Sequence, residues 1–245
     1  MELLDIISDR AYLFDINDDG KKELIVAQLS NVLILDSSNW NILKKISIKP
    51  KAESKAESYD RQLLQSISTE GTLLERTSFS GGLIVKFSIH DINGDGRPEL
   101  IALRADGIIA CYDFEGRELL SVFLDPYVID FTICDIDHDG IPEILAVSKG
   151  RVIYIVKSRK KVYSLDLAEI FGIPSMINYI PQPPETGNIA ILMRDGIIYL
   201  LGISFSAGIL RREIKIHVHA TINLPKTGEP TAMYMGDINN DDVLE

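Results

Sequence analysis

Four nine-residue segments of this 245-residue chain place acids and amides at the same positions. One of them, DINGDGRPE, begins at Asp91 and ends at Glu99. In every segment position 1 is Asp, position 3 is Asn or Asp, position 5 is Asp and position 9 is Glu. Because alternate residues of a tight loop point the same way, we expect these oxygens to converge. Calcium takes six to eight oxygen ligands at about 2.3–2.6 Å, so the pattern predicts calcium-binding loops.

The expected ligands are the side chains of positions 1, 3, 5 and 9 and the backbone carbonyl of position 7. We also expect the isoleucine at position 2 to face the core, and the glycine at position 6 of the first three segments to adopt a positive φ. The predicted ligands of the first three loops are Asp15, Asn17, Asp19, Lys21, Glu23, Asp91, Asn93, Asp95, Arg97, Glu99, Asp135, Asp137, Asp139, Ile141 and Glu143, with Lys21, Arg97 and Ile141 acting through backbone carbonyls. The fourth segment, at the chain end, is a weaker candidate with Asp237, Asn239, Asp241 and Glu245.

Other cation sites fit the pattern less well. An EF-hand shares the first six positions, but it needs Glu at position 12 and flanking helices. Position 12 here is Val26, Ala102 or Ala146, and the flanking segments have the pattern of strands. Zinc prefers Cys and His ligands, whereas magnesium stays an alternative that tends to keep its waters. Ca²⁺ is therefore the expected cofactor, with one site in each of the three loops and a fourth candidate at the chain end.

Strand-like segments surround each acidic loop. An apolar or alternating run precedes the loop, as in LIVKFSI before Asp91, and further apolar runs separated by Gly, Asn or Asp follow it. Such alternation and such turn residues indicate β-strands. Asp91 and Asp135 are 44 positions apart, and Asp135 and Asp237 are 102 apart, close to one and two periods of a four-stranded propeller blade. The sequence therefore predicts an all-β fold, a β-propeller of four-stranded antiparallel blades.

We predict a single propeller domain over residues 1–245. In its fourth blade Pro181, Pro183 and Pro184 replace the acids, so that loop is predicted to bind no metal. Because the chain stops at Glu245, where the next strand should begin, an incomplete ring is the favoured interpretation. The predicted blades are 10–50, 83–125, 128–168 and 175–222, followed by a partial blade over 230–245, while 51–80 forms a polar insertion with either a half-blade or an ordinary hairpin.

The acidic loops and the strand rhythm resemble the FG-GAP and VCBS-type repeats of integrin-α-like β-propellers. The resemblance covers three full loops, one terminal loop and nearly the whole chain. It implies that the loop between the first two strands of a blade holds one Ca²⁺. The chain departs from the family in having Glu at position 9, where Asp is frequent. It also has PheGly only at Phe171–Gly172, outside a loop.

The net charge and the remaining polar residues limit the kinds of partner and site that the sequence predicts. The formal net charge of −11 argues against a nucleic-acid partner or an anionic membrane surface, and no segment predicts membrane insertion. The basic cluster 157–161 is expected to be a solvated turn between two strands. Cys111 and Cys134 are expected to be buried free thiols. His217 and His219 are expected to lie on a solvated outer strand rather than on a metal.

No nucleotide-binding glycine loop and no nucleophile elbow occurs in the sequence. The leading hypothesis is a non-enzymatic Ca²⁺-binding propeller that acts as a protein-interaction scaffold, with partners on its top face or on the 51–80 segment. The resemblance also permits a carbohydrate-binding or polysaccharide-active module, or an integrin-like adhesion module. The start of the chain predicts a cytoplasmic protein if Met1 is native and an extracellular one if the chain is a fragment. Unpaired terminal strands are a candidate route to a homo-oligomer.

Overall fold

The computed structural model describes residues 11–17, 19–48, 83–157, 161–168, 170–180, 189–207, 212–225, 230 and 233. Within this part the chain forms sixteen β-strands in four sheets. The described residues offer no helix with the length and apolar character that a bilayer crossing requires. Several predictions fall outside them: the hairpin in 51–80, most of the partial blade 230–245 with Asp237, Asn239, Asp241 and Glu245, and the loop with Pro181, Pro183 and Pro184.

Each sheet is an antiparallel meander whose four strands lie side by side in chain order. The strands predicted from alternation and turn residues are confirmed at these places. Sheet 1 contains β1 (Ala11–Phe14), β2 (Glu23–Gln28), β3 (Asn31–Leu35) and β4 (Ile42–Ser47). Sheet 2 contains β5 (Ile84–His90), β6 (Glu99–Arg104), β7 (Ile108–Tyr112) and β8 (Glu118–Phe123). Sheet 3 contains β9 (Val128–Cys134), β10 (Glu143–Ser148), β11 (Val152–Lys157) and β12 (Lys161–Asp166). Sheet 4 contains β13 (Pro174–Tyr179), β14 (Ile189–Met193), β15 (Ile197–Ala207) and β16 (Arg212–Asn223).

The second strand of a sheet is more deeply buried than the fourth. Every residue of β6 and β10 is buried. Their sequences, ELIALR and EILAVS, are accordingly apolar on both faces rather than alternating. Every residue of β12 is at least partly exposed, and its burial changes along the strand in the manner of an outer strand. The acidic loops therefore end at strands that are buried from solvent.

The chain divides into two compact units, and the first comprises residues 1–89 and 98–126. Its core draws on sheets 1 and 2, with Ile34 and Ala102 among its buried side chains. Tyr12 on β1 donates its hydroxyl to the backbone oxygen of Phe87 on β5 at 3.2 Å. The two rings meet edge to face, with centroids 4.9 Å apart. The first strands of these two sheets are thus neighbours.

The second unit comprises residues 90–97 and 127–245. Its core draws on sheets 3 and 4, and Val147 and Ile191 are fully buried in it. Asp130 on β9 is 8% exposed, and its Oδ2 accepts a hydrogen bond from the Ile177 amide on β13 at 2.9 Å. The first strands are neighbours here too. Strands β15 and β16 have 11 and 12 residues, so their hairpin extends beyond the others.

The three described acidic loops join the first strand to the second in sheets 1, 2 and 3. The glutamate at position 9 is in each case the first residue of the second strand: Glu23 begins β2, Glu99 begins β6 and Glu143 begins β10. Strands flank all three loops, so the rejection of an EF-hand is confirmed. The predicted inward isoleucine is also confirmed, since Ile92 and Ile136 are 4% and 2% exposed and Ile16 packs against the core.

Candidate cation-binding loops

Each loop is closed by a hydrogen bond from its glycine to its first aspartate. The backbone N–H at position 6 donates to the carboxylate at position 1 over 2.8 Å in all three loops, and the glycine φ is 83° or 84°. A side chain with a Cβ disfavours this left-handed conformation, which explains the glycine. The pairs are Gly20 with Asp15, Gly96 with Asp91, and Gly140 with Asp135.

A second hydrogen bond that all three loops share orients the carboxylate at position 5. It accepts from the N–H of position 7, at 2.8 Å in the first two loops and 3.0 Å in the third. The donors are Lys21, Arg97 and Ile141, and the acceptors are Asp19, Asp95 and Asp139. The side chains of Lys21 and Arg97 are exposed, which agrees with their having only a backbone role. Ligation by their carbonyls stays a prediction.

Position 3 differs among the loops in charge. In the first loop the Asn17 side-chain amide donates to Asp19 at 3.2 Å, and in the second the Asn93 amide donates to Asp95 at 3.1 Å. The third loop has Asp137 at this position, which adds a negative charge where the others have a neutral amide. The third loop therefore needs more positive charge than the first two.

The glutamate at position 9 lies at the buried base of each loop. Glu23, Glu99 and Glu143 are 5%, 2% and 2% exposed. One oxygen of Glu23 accepts the Ile16 N–H at 2.9 Å, and one oxygen of Glu143 accepts the Ile136 N–H at 3.1 Å. Burying a carboxylate is costly unless a charge or hydrogen bonds compensate it. These glutamates are thus placed where a cation would be most stabilising.

The carboxylates converge in two of the loops. Within the described residues, Asp91, Asp95 and Glu99 each bring one carboxylate oxygen within 4.8 Å of the others, and so do the three acids of the third loop. That third group is Asp135, Asp137 and Glu143. The first loop has the two shared backbone hydrogen bonds, but its described residues include no group of carboxylates this close. An all-oxygen donor set fits a hard divalent cation such as Ca²⁺.

The third loop holds an internal cation that the sequence analysis missed. Nζ of Lys157, at the end of β11, lies 2.6 Å from Asp137 Oδ2, 2.8 Å from Glu143 Oε1 and 3.5 Å from Asp139 Oδ2. Its side chain is 16% exposed. The expectation of a solvated turn is therefore wrong for Lys157, because the lysine points into the acidic loop. Residues 158–160 of the same cluster lie outside the described residues.

Strand register contains the signal that would have found this lysine. Val156 pairs with Ile144, the residue after Glu143, so Lys157 follows at the level of the glutamate. The corresponding residues of sheets 1 and 2 are Asp36 and Asp113, because Leu35 pairs with Leu24 and Tyr112 pairs with Leu100. The residue beside position 9 is thus an acid in two sheets and a lysine in the third.

The pKa shifts in the loops follow from burial and from these contacts. Burial raises the pKa of Glu143, while the Lys157 and Ile136 hydrogen bonds oppose the rise. Burial by itself would lower the pKa of Lys157, but its bonds to Asp137 and Glu143 raise it above its usual range. Burial opposes the backbone hydrogen bonds at Asp91, yet those bonds hold the pKa of its carboxyl below the usual value. These shifts favour the ionised forms of Asp91 and Lys157 and disfavour that of Glu143.

The other candidate residues lie away from the loops or are inert. Cys111 and Cys134 are buried free thiols, as predicted, and burial raises the pKa of both. His217 and His219 lie on β16 and are exposed. No group of three metal-binding side chains in the described part of the chain includes either histidine. The acidic loops are therefore the candidate functional sites.

No protein-family model matches this chain, and no curated protein matches it. Solved structures do match. A crystal structure of BBS1N in complex with ARL6DN, soaked with mercury, contains a chain that is 13% identical, with a TM-score of 0.51 over 88% of this chain and 53% of that chain. A second, the same complex soaked with lead, gives 12% identity and a TM-score of 0.54 over 88% and 54%.

These matches establish the fold. At 12–13% identity, similarity to the BBS1N structures shows that the chain has a β-propeller fold, which confirms the predicted fold class. The chain spans about half the length of the solved chains that it matches. The resemblance to FG-GAP and VCBS repeats stays a prediction, as does the identity of the ion.

Proposed function

We propose that this chain is a non-enzymatic, Ca²⁺-binding β-propeller that serves as a scaffold for a protein partner. Two observations support the proposal. The BBS1N chain, which is similar in fold, was crystallised in complex with ARL6DN. The described acidic loops, in turn, use the same hydrogen bonds to arrange oxygen ligands at the start of a buried strand.

The convergence of carboxylates in the second loop carries the calcium part of the proposal. Asp91, Asp95 and Glu99 place oxygens within 4.8 Å of one another, and Glu99 is almost fully buried. Carboxylates this close disfavour each other's ionisation, and burial adds to the cost. A divalent cation would offset both effects. The first loop has Asp15, Asp19 and Glu23 at the same sequence positions, without the same close grouping among its described residues.

The ion would supply concentrated positive charge at the junction of the first two strands of a blade. The aspartates would fix the loop and the position-9 glutamate would tie it to the buried second strand. This role is structural, because the same hydrogen-bonded arrangement recurs in three successive sheets. A group that transfers protons to a substrate has no reason to recur in this way. We therefore place the function in the surfaces that the loops hold in shape.

Calcium-dependent melting tests the metal part. We expect millimolar Ca²⁺ to raise the Tm of the full chain by about 5 °C over its value in chelator, since ligands of the folded state stabilise it by mass action. The double variant Asp91→Asn/Asp95→Asn should lose roughly half of this shift. Asp166→Asn, at an exposed carboxylate on β12, should keep all of it. An identical Tm with Ca²⁺ and with chelator would contradict calcium binding.

Reconstitution tests the scaffold part. A protein captured from cells should form a complex of fixed stoichiometry with the purified chain in sedimentation experiments. We expect this complex to weaken in chelator and in the Asp91→Asn/Asp95→Asn variant, and to persist in Asp166→Asn. Cleavage of a polysaccharide by the purified chain, with activity lost in the loop variant, would instead favour the polysaccharide-active alternative.

A further inference from the structure

We propose that the third acidic loop carries its own cation: the Lys157 ammonium stands in for the divalent ion, so the loop at 135–143 is folded without metal. The proposal concerns a loop for which the sequence predicts a calcium ion. It adds to the proposed function a statement about which loops bind ions. The number of ions expected per chain rests on that proposed function, because it assumes that the first two loops bind Ca²⁺. The lysine contacts themselves stand independently of that function.

The contacts place the ammonium where the ion was expected. Lys157 Nζ lies within hydrogen-bonding distance of Asp137 Oδ2 and Glu143 Oε1, at 2.6 and 2.8 Å. Both of these residues belong to the group of converging carboxylates. An ammonium offers three N–H donors, and Asp139 Oδ2 at 3.5 Å is the third oxygen around it. An ion bound by the same two oxygens would lie beside a positive charge, which repels it.

Charge differences among the loops point the same way. The third loop differs from the first two in charge at position 3, where Asp137 replaces Asn17 and Asn93, and beside position 9, where Lys157 replaces Asp36 and Asp113. It also has Ile141 at position 7, where the other two loops have Lys21 and Arg97 with exposed side chains. The added carboxylate and the added ammonium contact each other at 2.6 Å. The first two of these differences thus form one ion pair inside the loop.

The hydrogen-bond partners of Asp36 and Asp113, which occupy the position of Lys157 in sheets 1 and 2, support the proposal. Asp36 accepts hydrogen bonds from Ser38 within its own turn, with the backbone contact at 2.7 Å. Asp113 accepts from the Arg117 backbone N–H at 2.8 Å, also within its own turn. In these sheets the residue beside position 9 stabilises the turn after the third strand. Lys157 instead contacts the carboxylates of the acidic loop.

The Lys157 ammonium and the carboxylates that it contacts are largely buried, so the ion pair contributes to the stability of the fold. The side chains of Asp137 and Glu143 are 5% and 2% exposed, and that of Lys157 is 16% exposed. Removing one member of a largely buried charge pair leaves the other without compensation, which is strongly destabilising. Loss of the lysine should therefore weaken the fold in the absence of metal and open the loop to an ion.

Counting ions by native mass spectrometry tests the proposal on the full chain. After dialysis against Ca²⁺, we expect the first and second loops of the wild type to hold one ion each and the third loop to hold none. We expect Lys157→Met to bind one more, because its thioether leaves the third loop's oxygens without a cation. Lys44→Met, at an exposed lysine on β4, should match the wild type. If the wild type binds ions, an equal count in Lys157→Met would overturn the proposal.

A metal-free measurement separates this proposal from the proposed function. In chelator we expect Lys157→Met to lower the Tm by about 5 °C and Lys44→Met to leave it unchanged. Adding Asp137→Asn to Lys157→Met recreates the residue found in the other loops and should recover part of the loss. If no variant binds any ion, the calcium part of the proposed function fails, while this recovery would still support Lys157 as the loop's cation. Additive losses from the two substitutions would overturn it.

Discussion

Single residues of the acidic loops have separable tasks. The position-1 aspartate collects backbone N–H groups, as Asp135 does from Gly140 at 2.8 Å and from Asp139 at 3.0 Å. The position-9 glutamate accepts one N–H with one oxygen and, in the third loop, contacts the cation with the other. Backbone N–H donors thus fix the conformation of the loop, and the carboxylates and Lys157 determine its net charge.

The position-6 glycine gives a prediction at this scale. Gly140 has φ of 84° and no atom within 4 Å of where a Cβ would lie, so Gly140→Ala adds backbone strain without a clash. We expect it to lower the free energy of unfolding by about 1–2 kcal/mol in urea titrations. Gly150→Ala is the matched control: a Cβ there meets Ser148 only at ordinary contact distance, 3.5 Å. Equal effects of the two substitutions would contradict this role for Gly140.

The loop residues were predictable because their pattern is local. Positions 1, 3, 5 and 9 lie within nine residues, so their proximity follows from the sequence, while their ligation of Ca²⁺ stays a prediction. Lys157 was not predictable in this way, since it is 14 positions beyond Glu143 and meets it only through the register of β10 and β11. In the sequence it is one of several basic residues in a short cluster, which is usually solvent-exposed.

At the scale of elements, hydrogen bonds join the first strands of neighbouring sheets. Asp130 on β9 bonds the Ile177 amide on β13 within the second unit, and Tyr12 on β1 bonds Phe87 on β5 within the first. Alternation and turn residues predicted the strands themselves. These contacts join residues 47 and 75 positions apart, so they depend on packing that no local pattern specifies.

Asp130 gives a prediction for this level. Asp130→Ala leaves the Ile177 N–H buried without that acceptor, so we expect a loss of about 2 kcal/mol in the free energy of unfolding. Hydrogen exchange at the Ile177 amide should also become faster. Asp130→Asn keeps an acceptor oxygen and should lose less, while Asp166→Ala on exposed β12 should change neither quantity. Unchanged exchange at Ile177 in Asp130→Ala would count against the bond.

At the scale of the whole molecule, repeat spacing predicted the propeller. The 44-residue interval from Asp91 to Asp135 gave the blade period, and the BBS1N structures match 88% of the chain. The lengths of β15 and β16 were not foreseen, because Gly202, a residue that usually marks a turn or a bulge, lies inside β15. The net charge of −11 accords with the proposal that the acidic loops are neutralised by ions or by a lysine.

A crystal structure grown in millimolar CaCl₂, with anomalous data collected at long wavelength, tests the central claim most directly. We predict anomalous peaks at calcium–oxygen distances inside the first and second loops, beside Asp15 and Asp91. In the third loop we predict the Lys157 ammonium and no peak. Loops at 15–23 and 91–99 without any peak at that calcium concentration would contradict the account.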